Sequence, residues 1–267
     1  HQPLAQCAQL LRQRLQQNVA SSGNKIRGVD ELHRRASQWY EEHGLDIEAF
    51  QHAVAAKDVE RAERIIEKKG IPLHIRGAVT VILDWLASLP ATVLDARPVL
   101  WVRSATLALA IGQAAGVEEK LKAAEVAINT AMQGAEPDNR TRDLIGQIAA
   151  ARATLAQSQY QVDTIIAQSR RALEYLHSNN LPFRFTATWT MAFAYQLQGD
   201  RAAAGREYSE ALSISQVSGD TFSTILATSC LGQVQELENQ LYPATETYRY
   251  VLQLFGDQQP PHAGEVH

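Results

Sequence analysis

Cysteine and methionine are scarce in this chain of 267 residues, with two of each. Cys7 and Cys230 stand far apart and neither has a second ligand at metal-binding spacing, which excludes a disulfide scaffold or zinc module and fits a reduced, cytoplasmic protein. A strong charge of one sign is also missing. The net charge of -4 argues against a nucleic-acid surface over the whole molecule, because phosphate binding needs a basic face. Only residues 1–40 lean basic, through Arg12, Arg14, Lys25, Arg27, Arg34 and Arg35, and these read as solvated helix faces. The longest apolar run, Val99–Gly112, carries Arg103 and falls short of the roughly 20 residues that cross a bilayer, so it reads as a core helix and no membrane partner is expected. No signal peptide is visible, and a chain opening on His1 reads as a fragment or processed product.

Motifs that carry chemistry are equally absent. The sequence has no G-x-x-x-x-G-K-[ST], no G-x-S-x-G, no H-E-x-x-H and no C-x-x-C. Glu41-Glu42 and Glu118-Glu119 are adjacent, but helix neighbours point about 100° apart and share neither a proton nor a metal easily. His33, His43 and His52 fall among charges, on helix surfaces or in seams. The expectation is a chain without catalytic, cofactor or metal residues, composed of 45% hydrophobic residues that suffice for a continuous core.

What is present is helical periodicity. In the stretch Pro182–Gln216, Ala192, Tyr195, Gly199, Ala204, Tyr208 and Ala211 fall at offsets 0, 3, 7, 12, 16 and 19, the spacing of a tetratricopeptide helix pair. Thr188, Met191, Ala192 and Tyr195 share one face of a first helix, and Ala204, Tyr208, Ala211 and Ser215 one face of a second, with Gly199-Asp200 as the turn. The unit recurs. Second-helix markers Ala127, Ala172, Ala211 and Val251 are 45, 39 and 40 residues apart, and first-helix markers Ala153, Ala192 and Gly232 are 39 and 40 apart. Turn signals fall at Gly134–Pro137, Asn179–Pro182, Gly199-Asp200, Gly219-Asp220 and Asn239–Pro243. One pair has too little core to stand alone, so the fold expected is all-α: a tetratricopeptide-like right-handed superhelix of antiparallel helix pairs, elongated and monomeric. It occupies 81–257, after a helical region at 1–80 and before a flexible tail at 258–267. Within 1–80 the pattern predicts helices carrying Leu4, Cys7, Ala8, Leu11 and Leu15; Leu32, Ala36, Trp39 and Tyr40; Ala49, Phe50, Ala53 and Val54; and Ala62, Ile65 and Ile66, the last stopped by Gly70.

The stretch Leu32–Lys68 resembles the segment after the winged helix in the MalT-like, LuxR-type large ATP-binding transcription regulators. The residues carrying the resemblance are Leu32, His33, Arg34, Arg35, Ala36, Trp39, Tyr40, Gly44, Glu48, Ala49, His52, Ala53, Asp58, Arg61 and Ala62. Trp85–Ala105 is similar to the family's next signature, a Trp-Leu, a Leu-Pro and an Arg-Pro-x-Leu, and residues 1–15 look like its closing winged-helix segment. The chain departs from that pattern at Thr106, where Trp is frequent, and at Lys57, where Gly is common. The resemblance implies an effector-sensing superhelix flanked by an ATPase domain and a LuxR-type DNA-binding domain. In that family inducer binding, best known for a sugar, promotes ATP-dependent oligomerisation with other protomers. ATP would belong to the full-length protein, because this chain has no phosphate loop, and neither nucleotide nor direct DNA binding is expected of it. The alternative is a helical-repeat scaffold for protein interaction or self-association without a small-molecule ligand.

Phe185, Trp189, Phe193 and Gln196 form a second stripe, about 100° from the packing face of the first helix. Either Trp189 and Phe193 bury against the preceding pair, or they form an aromatic platform in the groove, flanked by Gln147 on one side and by Gln233 and Glu236 on the other. The second arrangement suits a neutral polar ligand, with a ring face against its C–H surface and Gln147, Gln196, Gln233 and Glu236 fixing its hydroxyls.

Overall fold

A computed structural model describes residues 26–67 and 77–256, and the described residues form thirteen α-helices and no strand. The predicted helix around Leu4–Leu15, the stop at Gly70 and the tail 258–267 lie outside the described residues. The chain divides into two compact units at Leu89–Pro90.

The first unit contains α1 (Ile26–Glu42), α2 (Asp46–Ala55), α3 (Val59–Ile66) and α4 (Val79–Ser88). Its core is built from Ala49, Phe50, Ala53, Ala62, Ile65, Ile82, Trp85 and Leu86, all buried. Trp85 meets Phe50 edge-on at 5.3 Å between ring centroids, which draws α4 into this unit and sets the boundary nine residues beyond the position 80 expected from the pattern. The signature residues of this stretch bind the helices together. Buried Ser37 donates to the Ala49 carbonyl at 2.7 Å and accepts from Arg61 Nε at 2.7 Å, while Arg61 Nη2 donates to Glu41 at 2.6 Å. His33 and His52 meet through their Nδ1 atoms at 2.7 Å in the α1–α2 seam. Trp39 departs from the expected inward face. It is 39% exposed and stacks on His43 at 4.0 Å, because its helical position carries it past the edge of the seam.

The second unit opens with α5 (Ala91–Asp95) and then runs in pairs: α6 (Pro98–Ala110) with α7 (Val117–Met132), α8 (Asn139–Ser158) with α9 (Val162–Tyr175), α10 (Leu181–Gln198) with α11 (Arg201–Ser218), and α12 (Thr221–Leu237) with α13 (Leu241–Gly256). These are the pairs read from the repeat. The turns are short because their residue types permit it. Gly199 and Gly219 adopt φ of 80° and 70°, closing α10 and α11 in the left-handed region that glycine enters without strain. Asp200 and Asp220 follow at once and accept the free N–H groups of Ala203 and of Phe222 and Ser223, starting the next helix after a turn of two residues. Asp138 caps α8 in the same way through the Thr141 N–H, at 2.8 Å.

Small residues set the seams. Ala192, Ala204, Ala211, Tyr208 and Thr188 are at most 1% exposed, and Ser215 is fully buried. Ala149, Ala150, Ala172 and Ala187 form the equivalent cluster where α8, α9 and α10 converge. The pairs then stack on one another through second helix to next first helix: α9 on α10 and α11 on α12. Two buried hydroxyl bridges mark these joints, Ser169 with Thr190 at 3.0 Å and Thr224 with Ser215 at 3.0 Å. One-sided helices of this kind cannot bury their apolar face alone, so stability comes from stacking.

Candidate functional site

Among the described residues no three His, Cys, Asp or Glu side chains gather as metal ligands, and no helix is long and apolar enough to cross a membrane. The candidate site therefore has to be assembled from the stripe on α10. That helix is buried on most sides, by Ala187, Thr190 and Ala194 in one direction and by Phe185, Thr188, Met191 and Ala192 in others. The open sector holds Thr186, Trp189 and Phe193, all half-buried, and Leu197, 43% exposed. Thr186, Phe193 and Leu197 correspond, 39 residues earlier, to Gln147, Thr154 and Ser158 of α8 and, 40 residues later, to Leu226, Gln233 and Leu237 of α12. None of these is buried, so one partly open band crosses the three first helices.

Trp189 and Phe193 stack nearly parallel, 6.3 Å between centroids and 19° between planes, and Tyr160 continues the row at 6.3 Å from Phe193. Phe193 packs against the preceding pair, on Ala156 and Ile165. Trp189 packs the other way, on Ala211 and Ala227 and on Tyr208 and Val234, between its own pair and the following one. Its indole N–H is buried and lies beside the Cys230 sulfur. Burial pushes the Cys230 thiol up, and the side chain packs with Tyr208 and Val234.

The polar candidates divide. Gln233 is exposed and keeps its amide free of any partner among the described residues. Gln147 donates from Nε2 to Asp143 at 3.0 Å, and Asp143 also receives the His177 N–H and the Asn180 amide, so Gln147 belongs to a network at the entry to α10. Gln196 accepts from the buried Tyr208 hydroxyl at 2.9 Å, and Glu236 accepts from the Tyr248 hydroxyl at 3.2 Å. These last two are the same contact, 12 residues apart in each repeat, tying a first helix to the second helix of its pair. Gln196 and Glu236, expected among the ligand donors, each hold a tyrosine of their own pair, and the common offset to that tyrosine is visible in the sequence. Burial pushes the Tyr208 phenol far above its ordinary value, so it stays a neutral donor to Gln196.

A separate crevice of about 510 Å³ opens between α11 and α12, with Ala202, Gly205, Leu231 and Val234 on its floor and Arg206 and Glu238 at its rim. None of the six candidate residues lines it. It exists because Gly205 stands where the preceding repeat has Ile166, which fills the corresponding space against Ala156 and Ala194.

Comparison with known proteins bears on this unit. The family described as the MalT-like TPR region matches residues 146–267. The serine/threonine-protein kinase PknK of Mycobacterium tuberculosis is 33% identical over 148 residues, covering 53% of this chain and 13% of the relative. The same figures hold for PknK of Mycobacterium bovis. This chain thus spans about an eighth of the length of the curated relatives it matches. The helix pairs at a 39- to 40-residue period and the small-residue seams between residues 146 and 256 agree with that match, and the stretch 146–267 is similar to a MalT-like TPR region.

Proposed function

We propose that this chain is the effector-sensing and protein-interaction segment of a MalT-like, LuxR-type ATP-dependent transcriptional activator. It binds a small neutral polar inducer, such as a sugar, across the band formed by α8, α10 and α12, and transmits occupancy to the oligomerisation of the regulator in the cytoplasm. It acts without catalysis of its own and without direct contact to DNA; nucleotide chemistry belongs to another domain of that kind of protein. The observation that carries the reading is the Trp189–Phe193 pair, left half-open on a helix otherwise buried on most sides. A ring face packs against the C–H surface of a sugar, and exposed Gln233 supplies an amide one helix away. Gln196 and Glu236 act through the second-helix tyrosine that each holds, and Gln147 through Asp143, which receives the chain at the entry to α10.

The test is a thermal-shift screen of neutral mono- and oligosaccharides, followed by calorimetry on Trp189→Ala and Gln233→Ala. A ligand at 100 times its Kd raises the stability of the folded state by about 2.7 kcal/mol, so binding is visible as a melting shift. Loss of binding in Gln233→Ala with unchanged melting supports the groove. Should Trp189→Ala lose ~3 to 5 kcal/mol, as a core aromatic does, while Gln233→Ala binds normally, the band is packing and the scaffold reading stands.

A further inference from the structure

The joint between α11 and α12 corresponds to the joint between α9 and α10, one repeat earlier. In the earlier joint Val162 and Ile166 of α9 pack with Phe193 against Ala156, Ile165 and Ala194. At the same positions, 39 residues later, α11 carries Arg201 and Gly205. The exchange removes two branched aliphatic side chains, and the crevice of about 510 Å³ lies where they would be. Val234, at the position of Ala194, returns only part of that volume. The nearest atom to a Cβ built on Gly205 is Val234 Cγ1 at 3.7 Å, an ordinary contact, and Val234 lines the crevice together with Leu231. The floor is therefore shaped for an aliphatic side chain that this repeat does not supply.

The rim is charged, and its charges balance. Arg201 and Arg206 line the crevice with Glu210 and Glu238. Arg201 is fixed by donation from Nη1 to the Leu237 carbonyl at 2.7 Å, and Glu238 accepts from Gln240 Nε2 at 2.9 Å. Arg206 and Glu210 form no hydrogen bond or ion pair among the described residues, so a guanidinium fork and a carboxylate stay open. An aliphatic floor under a rim of equal and opposite charges fits a molecule with a hydrocarbon side chain and both charges at one end. A fatty acid or an alkylamine would match only one sign of the rim and leave the other without a partner.

We propose that the crevice between α11 and α12 binds a branched-chain α-amino acid, with its side chain over Gly205 against Leu231 and Val234, its carboxylate on the Arg206 guanidinium and its ammonium on the rim carboxylates Glu210 and Glu238. The side chain takes the place that Ile166 fills one repeat earlier. An open crevice leaves the charged end of such a ligand partly in water, and the Kd expected is about 1 mM. None of the residues of the band on the first helices lines this crevice, so the inference does not rest on the sugar reading and stands or falls separately from it.

Thermal melts of the 267-residue chain test it. L-Isoleucine at about 20 mM should raise the melting temperature by roughly 4 to 7 °C. Glycine at the same concentration has both charges and no side chain, and it measures the general stabilisation that any excluded solute gives. A shift no larger than that of glycine overturns the proposal. N-Acetyl-L-isoleucine and L-isoleucinamide each lack one charge and should shift the melt less than half as far. An equal shift from either would make a peptide terminus the ligand and refute the amino acid. Two variants locate the site. Gly205→Ile supplies the side chain of the preceding repeat, so it should raise the melting temperature of the unliganded chain and abolish the response to L-isoleucine; a melt below the parent, or an undiminished response, refutes the floor. Arg206→Gln changes an exposed residue and leaves the floor intact. It should melt within about 2 °C of the parent and bind L-isoleucine at least about tenfold more weakly, and binding at the parent's strength refutes the carboxylate contact.

Discussion

Three glycines inside helices offer a graded test of the seams, because the space around each differs. Replacing a helical glycine by alanine gains about 1 kcal/mol of helix propensity wherever the new methyl group has room. At Gly205 of α11 the nearest atom to an added Cβ is Val234 Cγ1 at 3.7 Å, an ordinary contact on the floor of an open crevice. Gly205→Ala should therefore stabilise the chain by roughly 0.5 to 1 kcal/mol. At Gly232 of α12 the Cβ would meet Tyr248 Cε1 at 2.6 Å, but that is the far end of a side chain on a half-open helix, which can swing away. Overpacking of about 1 to 2 kcal/mol and the propensity gain nearly cancel there. Gly146 of α8 is different. Its Cβ would lie 2.8 Å from both Cγ and the backbone nitrogen of Leu176, the buried residue that ends α9, so relief requires α8 and α9 to separate. Overpacking at the top of the usual range, about 3 kcal/mol, less the propensity gain, leaves about 2 kcal/mol of net destabilisation. For a unit of this size that is a fall of roughly 4 to 8 °C in melting temperature. Circular dichroism melts of the three variants read the order directly. If Gly146→Ala melts at or above the parent, the α8–α9 seam is not the tight contact described, and the small-residue account of the stacking fails.

Arg152 bridges Glu118 at 2.9 Å and Glu125 at 2.6 Å with its side chain only 15% exposed, so Arg152→Ala leaves two facing carboxylates and should lose about 2 to 3 kcal/mol in urea unfolding, the partial exposure lowering the value for a fully buried pair. Arg152→Lys should recover less than half of that, since an ammonium cannot fork to both acids. Tyr208→Phe deletes the bond to Gln196 and should cost about 1 to 2 kcal/mol, most of which is absent when the change is made in a Gln196→Ala background. The Asp138 carboxyl is held below its ordinary value by the Thr141 N–H it caps. A lowered carboxylate supports α8 above its unfolded-state pKa and ceases to do so as pH falls through the folded value, so amide exchange at the start of α8 should quicken in acid in the parent but vary less with pH in Asp138→Asn.

The sequence by itself determined the helix pairs, their order and their turns. The reason is local: an alanine or tyrosine every three or four residues specifies an amphipathic helix, and Gly-Asp at 199–200 and 219–220 carries both the left-handed stop and the cap of the next start. The burial of Ala192, Ala204, Tyr208 and Ala211 was legible for the same reason, since a period of 3.6 names the inward face. What the periodicity could not express is which of two neighbouring partners a side chain serves. Trp189 and Phe193 lie four residues apart on one stripe, yet one packs forward with α11 and α12 and the other back with α8 and α9. Gln196 and Glu236 share the polarity of groove residues, but the tertiary contact gives each to a tyrosine of its own pair. The boundary at Leu89–Pro90, set by Trp85 against Phe50, and the crevice left by Gly205 depend likewise on residues far apart in the chain. A face is a property of one helix and can be read along it; a partner is a property of two, and only packing in three dimensions decides it.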